Sequence, residues 1–183
     1  MLRVRVLGTM RVDFEGRAVE PPSSRRAWLL LAYLALNPGP HRRAIVAARF
    51  WPDVLDESAR QSLRNAVWAL RTSLGPAASV IRASRDEVAL DGGDRVWVDA
   101  LEMGRLLADG RLEEALALGD DELLADFDDP WALDARAAHR DRVTEALEAL
   151  AAKAERASTA RPRSGSHGAR SRSTGSTKRP TAG

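Results

Sequence analysis

The chain contains no cysteine among its 183 residues. Disulfide bonds, thiolate nucleophiles and zinc sites built from cysteine are therefore excluded, and the composition suits a reducing compartment. The chain also lacks a signal peptide and any hydrophobic run near the roughly 18 residues that a membrane-spanning helix needs. These absences predict a soluble, cytoplasmic protein with no membrane partner.

Catalytic and cofactor-binding motifs are missing as well. The three histidines, His41, His139 and His167, lie far apart and in no metal-pair or triad pattern. No glycine-rich phosphate loop of the Walker type occurs. The acidic residues between Asp120 and Asp129 lack the alternating ligand spacing and the glycine turn of a calcium loop. We therefore predict a non-enzyme with no cofactor and no metal site.

Charge divides the chain into three segments, although the formal net charge is only +2. Residues 1–98 hold 15 arginines and 10 acidic residues, residues 99–157 hold 7 basic and 16 acidic residues, and residues 158–183 hold 6 basic residues and no acid. A basic first segment suits DNA, because phosphate contacts supply much of the affinity of DNA-binding proteins. The charge pattern thus predicts three segments, which are a DNA-binding domain over 1–98, an acidic segment over 99–157 and a basic tail.

The tail from Ser158 onward is rich in Ser, Thr, Arg, Gly and Pro and has no large apolar residue. Such a segment cannot bury enough surface to offset its ordering entropy, so we predict that residues 158–183 are disordered. Two interpretations of the tail stay open. It is either a cationic extension that adds non-specific DNA affinity or the out-of-frame remnant of a longer gene.

A helix predicted over residues 56–74 is the most informative element. Its apolar residues recur at the i, i+4, i+7 and i+11 spacing that forms one buried face: Leu63, Val67, Leu70 and Leu74. Asp56 is the predicted N-cap, with Glu57 in the first turn, and Gly75 followed by Pro76 ends the helix.

The other side of this predicted helix carries polar groups that suit nucleic acid. Its flank and outer face are formed by Arg60, Arg64, Arg71, Gln61, Asn65 and Thr72. Arginine pairs bidentately with phosphate or guanine, and asparagine and glutamine match adenine edges. We expect Arg64 and Asn65, near the middle, to reach bases, whereas Arg60 and Arg71 bind phosphates. An ordinary amphipathic surface helix is the alternative.

Shorter elements precede this helix. Alternating apolar and charged residues over 2–6 and 10–14 predict a β-hairpin or small sheet. A helix capped by Ser23 or Ser24 follows, and a second short helix covers about 42–50. The predicted core face of the first helix consists of Trp28, Leu31, Leu34 and Ala35. Three helices joined by short connections are typical of helix-turn-helix domains.

A two-stranded wing is predicted after the third helix. Two apolar runs, 80–82 and 88–90, flank a polar tip over 84–87. Together with the preceding hairpin and three helices, this pattern predicts an α+β winged helix-turn-helix domain.

Several spaced motifs carry a resemblance to a known family. They are LRVRVLG at 2–8, LLLAYLALNPG at 29–39, FWPD at 50–53 and ARQSLRNAVWALRTSLG at 59–75. They resemble the OmpR/PhoB-type winged-helix domain of the Streptomyces antibiotic regulatory proteins (SARP) and other regulators with a bacterial transcriptional activator domain. Two later stretches, VWVDALEMGRLL at 96–107 and ELLADFDDPWALDARAAHRDRVTEALEALA at 122–151, resemble the linker and first helices of that activator domain. This likeness implies a short all-α, helical-repeat-like segment over 99–157, a partial activator domain.

The resemblance implies a sequence-specific transcriptional regulator that activates a biosynthetic or other gene cluster. It implies binding of double-stranded promoter DNA at direct repeats, with a dimer on tandem sites as one arrangement, and contact with RNA polymerase. The helix at 56–74 would enter the major groove, and the wing would contact the minor groove or backbone. The predicted DNA-binding residues are Arg60, Gln61, Arg64, Asn65, Trp68, Arg71, Thr72, Arg82 and Arg85.

The sequence departs from the family pattern in three places. Ala69 stands where the family usually has a basic residue, and Trp68 beside it is unusual. The wing tip carries two acids at 86–87, which favours Arg82 and Arg85 as the phosphate contacts there. The activator domain is shorter than in the family, because the helical pattern stops before the tail.

Alternatives to the activator hypothesis stay open. The 56–74 helix could belong to a protein-interaction module that meets an acidic partner, or the chain could occupy promoters without activating them. Trp68 packs either on a DNA sugar or thymine methyl group, or beneath the wing. We also expect residues 1–98 to close one core among themselves, and therefore to fold and bind DNA alone.

Overall fold

The structure is a computed structural model that describes residues 1–119 and 121–159, with side chains up to Arg156. The described strands are β1 (Leu2–Arg5), β2 (Arg11–Phe14), β3 (Arg17–Ala18), β4 (His41–Arg42), β5 (Ile81–Ala83), β6 (Glu87–Leu90) and β7 (Val96–Val98). The described α-helices are α1 (Arg25–Leu36), α2 (Arg43–Phe50), α3 (Asp56–Leu74), α4 (Asp99–Ala108), α5 (Leu112–Leu116) and α6 (Pro130–Thr159). Two short 3-10 segments lie at Gly75–Val80 and Gly93–Arg95. This α+β arrangement of two small sheets and six described helices is consistent with a winged-helix-like fold.

The predicted disordered tail falls almost wholly outside the described residues. Only its first two positions, 158–159, are described, and they form the last residues of α6. The prediction of disorder is therefore wrong for these two positions. Alanine-rich sequence just before them favours helix and carries the helix past the predicted boundary.

A four-stranded sheet in the order β3-β2-β1-β7 holds the N-terminal hairpin. β1 and β2 are antiparallel, with Leu2 opposite Phe14 and Val4 opposite Val12, as the alternating pattern predicts. β7 adds to the other edge of β1 in parallel. The sequence predicts a linker at Val96–Val98, because so short an apolar run has no periodicity of its own and its partner strand lies more than ninety positions earlier.

Helix α1 is the centre of the core. Ser24 caps it, since the Ser24 hydroxyl accepts a hydrogen bond from the Ala27 backbone N–H at 3.2 Å, as predicted. All nine residues from 27 to 35 are buried, so the prediction of one buried face is too narrow. A helix that is apolar all round is covered on every side. Here α3, β6 and the Trp131 ring of α6 contact it.

Helix α3 has the predicted bounds and the predicted buried stripe, but not the predicted cap. The N-cap is Leu55, whose carbonyl accepts the first helical bond from Ala59 N–H at 2.9 Å. Asp56 is already helical, so its carboxylate stabilises the positive end of the helix dipole from within the first turn.

The wing is a three-stranded sheet in the order β4-β6-β5. β5 and β6 form the predicted hairpin, with Ile81 opposite Leu90. The Ser84 hydroxyl accepts hydrogen bonds from the backbone N–H groups of Asp86 and Glu87 and so shapes the tip. The additional strand β4 joins the wing to the start of α2, a connection that the sequence analysis does not foresee.

The core extends beyond residue 98, contrary to the prediction that residues 1–98 close it among themselves. Leu123, Leu124, Phe127 and Ala132 are buried in the same apolar cluster as α1, α2 and α3. A separate small cluster joins α4, α5 and the later part of α6. The domain boundary at residue 98 stays a prediction, but the packing crosses it.

Residues 121–127, which we name the strap, lie along the turn that follows β1. Leu124 N–H donates to the Val6 carbonyl at 2.7 Å, and Gly8 N–H donates to the Glu122 carbonyl at 2.9 Å. Beside them, the buried carboxylate of Asp99 accepts hydrogen bonds from the backbone N–H groups of Val6 and Leu7 at 2.9–3.0 Å.

None of the described helices has the length and apolar character of a membrane span.

Candidate nucleic-acid interface

An open groove runs between α3 and the wing, and arginine is its commonest residue. We name it the arginine groove. Its lining residues are Arg42, Arg43, Ala44, Arg60, Arg64, Val67, Trp68, Arg71, Ala83, Ser84, Arg85, Asp86 and Glu87. Six of these side chains are guanidinium groups and two are carboxylates, so the groove is a concave basic surface.

Three elements place these arginines together. Helix α3 contributes Arg60, Arg64 and Arg71, which are spaced by four and seven residues and therefore share one side of the helix. The Arg71 guanidinium donates to the Ile81 carbonyl of the wing at 2.9 Å. Arg43 N–H donates to the Asp86 carbonyl at 2.8 Å, which fixes the wing tip against the start of α2. The two walls of the groove are thus bonded to each other.

The positive charge of the groove is not neutralised from within. Among the described residues, none of its six arginines forms an ion pair with a carboxylate. Burial lowers the pKa of the Arg43 guanidinium, and the positive charges of Arg64 and Arg71 lower it further. The second effect is electrostatic repulsion between neighbouring cations, and an anion in the groove would relieve it.

The outer face of α3 carries the predicted amide and hydroxyl groups beside the groove. Gln61, Asn65 and Thr72 are exposed and do not line the groove. Gln61 bonds to both Arg64 and Asn65. The Thr72 hydroxyl donates to the Trp68 carbonyl of its own helix at 3.0 Å, which leaves it an acceptor for other groups.

Trp68 is 70% exposed, which is unusual for an indole ring. The interpretation that it packs beneath the wing is therefore wrong. Its neighbour Val67 takes the inward position and is buried, so the helix turns Trp68 out to the rim of the groove. An exposed aromatic ring among arginines is available to a ligand.

The two predicted wing arginines have different surroundings. Arg85 lines the groove, whereas Arg82 does not and instead forms an ion pair with Asp91. Side chains alternate along a strand, so Arg82 projects away from the side on which its neighbour Ala83 meets the groove. The structure thus brings together five of the nine predicted residues in the groove: Arg60, Arg64, Trp68, Arg71 and Arg85.

Arg42 and Arg43 are groove residues that the sequence analysis does not identify. They form an adjacent basic pair at the start of α2, where Arg42 is the N-cap and Arg43 is the first helical residue, and such a pair is a signal that could have drawn attention. Their position becomes informative only because β4 pairs with β6 and brings Arg42 opposite Glu87 of the wing.

Comparison with known proteins identifies a relative by fold. No family model matches the chain, and no curated protein sequence matches it. The solved structure of Mycobacterium tuberculosis EmbR in complex with a low affinity phosphopeptide is similar, with a TM-score of 0.63 and 22% sequence identity. The match covers 82% of this chain and 44% of the EmbR chain. The chain therefore shares its fold with part of EmbR and spans less than half of that protein's length.

Proposed function

We propose that this protein is a sequence-specific DNA-binding transcriptional regulator. The observation that carries the proposal is the arginine groove, where six guanidinium groups from α2, α3 and the wing lie together without an ion pair among the described residues. A long helix flanked by such a groove matches the shape and charge of duplex DNA, whose major groove admits one α-helix. In this arrangement α3 occupies the major groove and the wing tip contacts the adjacent backbone.

The roles of the site residues follow from their positions. Arg64 and Asn65 stand on the exposed middle of α3 and are proposed to contact bases. Arg60, nearer the helix start, and Arg71, which also bonds to the wing, are proposed to bind phosphates. Arg82 is held by Asp91, so we expect it to contribute least.

The family resemblance of the sequence supports a regulator of the SARP type, and the likeness to EmbR agrees with it at the level of the fold. On that basis we propose promoter DNA with direct repeats as the ligand, a dimer on tandem sites and RNA polymerase as a partner. Activation of a biosynthetic or other gene cluster is the corresponding cellular role.

Selection of duplex DNA from a random pool, followed by binding assays at increasing salt, tests the proposal. We expect the wild-type chain to enrich one sequence and to bind it with a steep salt dependence. The double variant Arg60→Gln/Arg71→Gln should bind weakly, with the salt slope reduced by about two, because each lost phosphate contact removes about one.

The matched control is Arg105→Gln/Arg111→Gln, in which two arginines paired with acidic residues of the helical segment lose the same charge. It should bind DNA as the wild type does. Equal loss in both double variants, or binding of polyglutamate as tightly as DNA, would argue for a protein-interaction module instead.

Trp68 provides a spectroscopic test of the same interface. Because its ring is exposed beside the groove, we expect cognate DNA to quench it and to shield it from acrylamide. The Trp68→Phe variant should lack this DNA-dependent change. A change that persists in that variant would place the response at another tryptophan.

Deletion of residues 158–183 tests the role proposed for the tail. We expect the specific footprint to remain and non-specific binding at low salt to weaken, since a cationic tail adds only phosphate contacts. Loss of the specific footprint would instead assign the tail to the site.

A further inference from the structure

Three side chains on the exposed face of α3 form a hydrogen-bonded chain. The Arg64 Nε–H donates to Gln61 Oε1 at 3.0 Å, and the Arg64 Nη2 group donates to the same oxygen. Gln61 Nε2 then donates to Asn65 Oδ1 at 2.9 Å. The spacing of three and four residues places all three side chains on one face of the helix.

The direction of this chain is fixed by chemistry. A guanidinium group has only donors, so Arg64 can bond to Gln61 only through the amide oxygen. That orientation turns Gln61 Nε2 toward Asn65, and the oxygen of Asn65 must then face Gln61. Arg64 therefore sets the orientation of both amides.

The bonds within the chain decide which groups remain for DNA. Both lone pairs of Gln61 Oε1 accept hydrogen bonds from Arg64, and one of the two Gln61 amide N–H groups donates to Asn65. Gln61 keeps a single donor and no acceptor. Because bidentate reading of adenine requires a donor and an acceptor from one amide, Gln61 is unsuited to it.

Arg64 and Asn65 keep the complete patterns that base reading requires. Arg64 retains both N–H groups of Nη1 and one N–H group of Nη2. One N–H from each of these two nitrogens forms a parallel pair that matches guanine O6 and N7. Asn65 retains its NH₂ group and one lone pair on Oδ1, which match adenine N7 and N6. Arg64 therefore offers DNA only donors, which suit guanine, whereas Asn65 offers both donors and an acceptor, which suit adenine.

We propose that Gln61 is a positioning residue that orients Arg64 toward a guanine and Asn65 toward a nearby adenine. The proposal rests on the proposed DNA-binding function and specifies the base content of the target. It gives Gln61, one of the predicted DNA-binding residues, a positioning role in place of a direct base contact.

Parallel site selections with the full chain test this role. The Gln61→Met variant keeps the length of the side chain but has no amide, so Arg64 and Asn65 lose their shared partner. We expect its preferences for guanine and adenine to weaken together by about two- to tenfold each, the cost of leaving a side chain mobile before binding. Arg64→Met should lose the guanine preference by about fivefold or more and, because Arg64 sets the orientation of both amides, should also weaken the adenine preference to a smaller extent. Asn65→Ala should lose the adenine preference alone, by about fivefold or more.

Ser58→Ala, an exposed position one turn earlier on α3, is the matched control and should leave the selected sequence unchanged. Loss of preference at a third base pair in Gln61→Met, with guanine and adenine preferences intact, would show that Gln61 reads a base directly and would overturn the proposal. Unchanged preferences at every position would also overturn it. A wild-type chain that enriches no sequence would instead contradict the DNA-binding function itself.

Discussion

The arginines of the groove have no described ion pair, whereas most arginines of the helical segment pair with acidic residues. Arg136 of α6 has a side chain only 12% exposed, donates to the carbonyls of Leu123, Leu124 and Phe127 at 2.7–2.9 Å and lies 3.7 Å from a Glu122 carboxylate oxygen. Arg60 in the groove is exposed and has no described ion pair. The same residue type therefore stabilises the fold in one region and stands exposed without a described ion pair in the other.

Pairing, more than exposure, distinguishes the two regions. Arg105 is about half exposed, yet it bonds to both Glu102 and Asp109 along α4. The helical segment is rich in acidic residues, and four of its arginines, Arg105, Arg111, Arg136 and Arg140, form ion pairs with acidic neighbours. Arginine content alone does not identify a nucleic-acid surface, and the proposed interface rests instead on six arginines without a described ion pair that line one groove.

The largest expected effect is the loss of stable folding when the chain is cut after residue 98. Leu123, Leu124 and Phe127 are almost completely buried against the winged-helix elements. Burying each such side chain is worth about 1.5–3 kcal/mol, so the loss approaches the roughly 5–15 kcal/mol that stabilises a whole domain. We therefore expect residues 1–98 to lack a cooperative thermal transition that residues 1–159 retain.

This expectation reverses the one drawn from the sequence, and near-ultraviolet circular dichroism with thermal melting checks it. If residues 1–98 melt within a few degrees of residues 1–159, the winged-helix elements and the helical segment are energetically independent.

The next effect separates two arginines of α6. Arg136→Met should lower the free energy of unfolding by about 2–4 kcal/mol, because three strap carbonyls lose a charged donor in a mostly buried site. Arg140→Met removes only an exposed pair with Glu122 and should cost less than about 0.5 kcal/mol. Urea denaturation of both variants measures the difference. Equal costs would show that the buried bonds do not secure the strap.

A smaller effect is expected for Arg43, and in the opposite sense. Its guanidinium is disfavoured by burial and by Arg64 and Arg71, so Arg43→Gln removes a repulsive charge. We expect the free energy of unfolding to stay within about 0.5 kcal/mol of the wild-type value or to rise. Any rise should become smaller at higher salt, because salt screens the repulsion between the arginines. DNA affinity should fall, with the salt slope reduced by about one. A loss of stability as large as that of Arg136→Met would assign Arg43 to the fold.

The smallest effect concerns His139 on α6. Burial lowers the pKa of its imidazole, and Arg142 lowers it further, while Asp99 opposes them. The unfolded chain, with a histidine pKa of about 6.5, therefore binds the proton first as pH falls. His139 therefore has no effect on the free energy of unfolding well above pH 6.5, and it lowers this free energy as the pH falls below about 6.5. His139→Gln should flatten this part of the stability profile, and an unchanged profile would assign it to other groups.

The local elements follow from sequence because their signals are local. The stripe of Leu63, Val67, Leu70 and Leu74 determines α3, the Ser24 cap starts α1, and the alternation of β1 and β2 determines the hairpin. Exposed polar residues on α3 are also predictable, since the buried stripe leaves only one other face.

Only the tertiary structure decides which of these residues act together. Arg42 and Arg43 join the groove because β4 pairs with β6, and Arg82 is turned away by strand alternation. The burial of the strap and of Asp99 depends on contacts between positions about ninety or more residues apart. Periodicity records which face of an element is apolar, but not which distant segment covers it, because that choice is made by packing and by the pairing of buried polar groups.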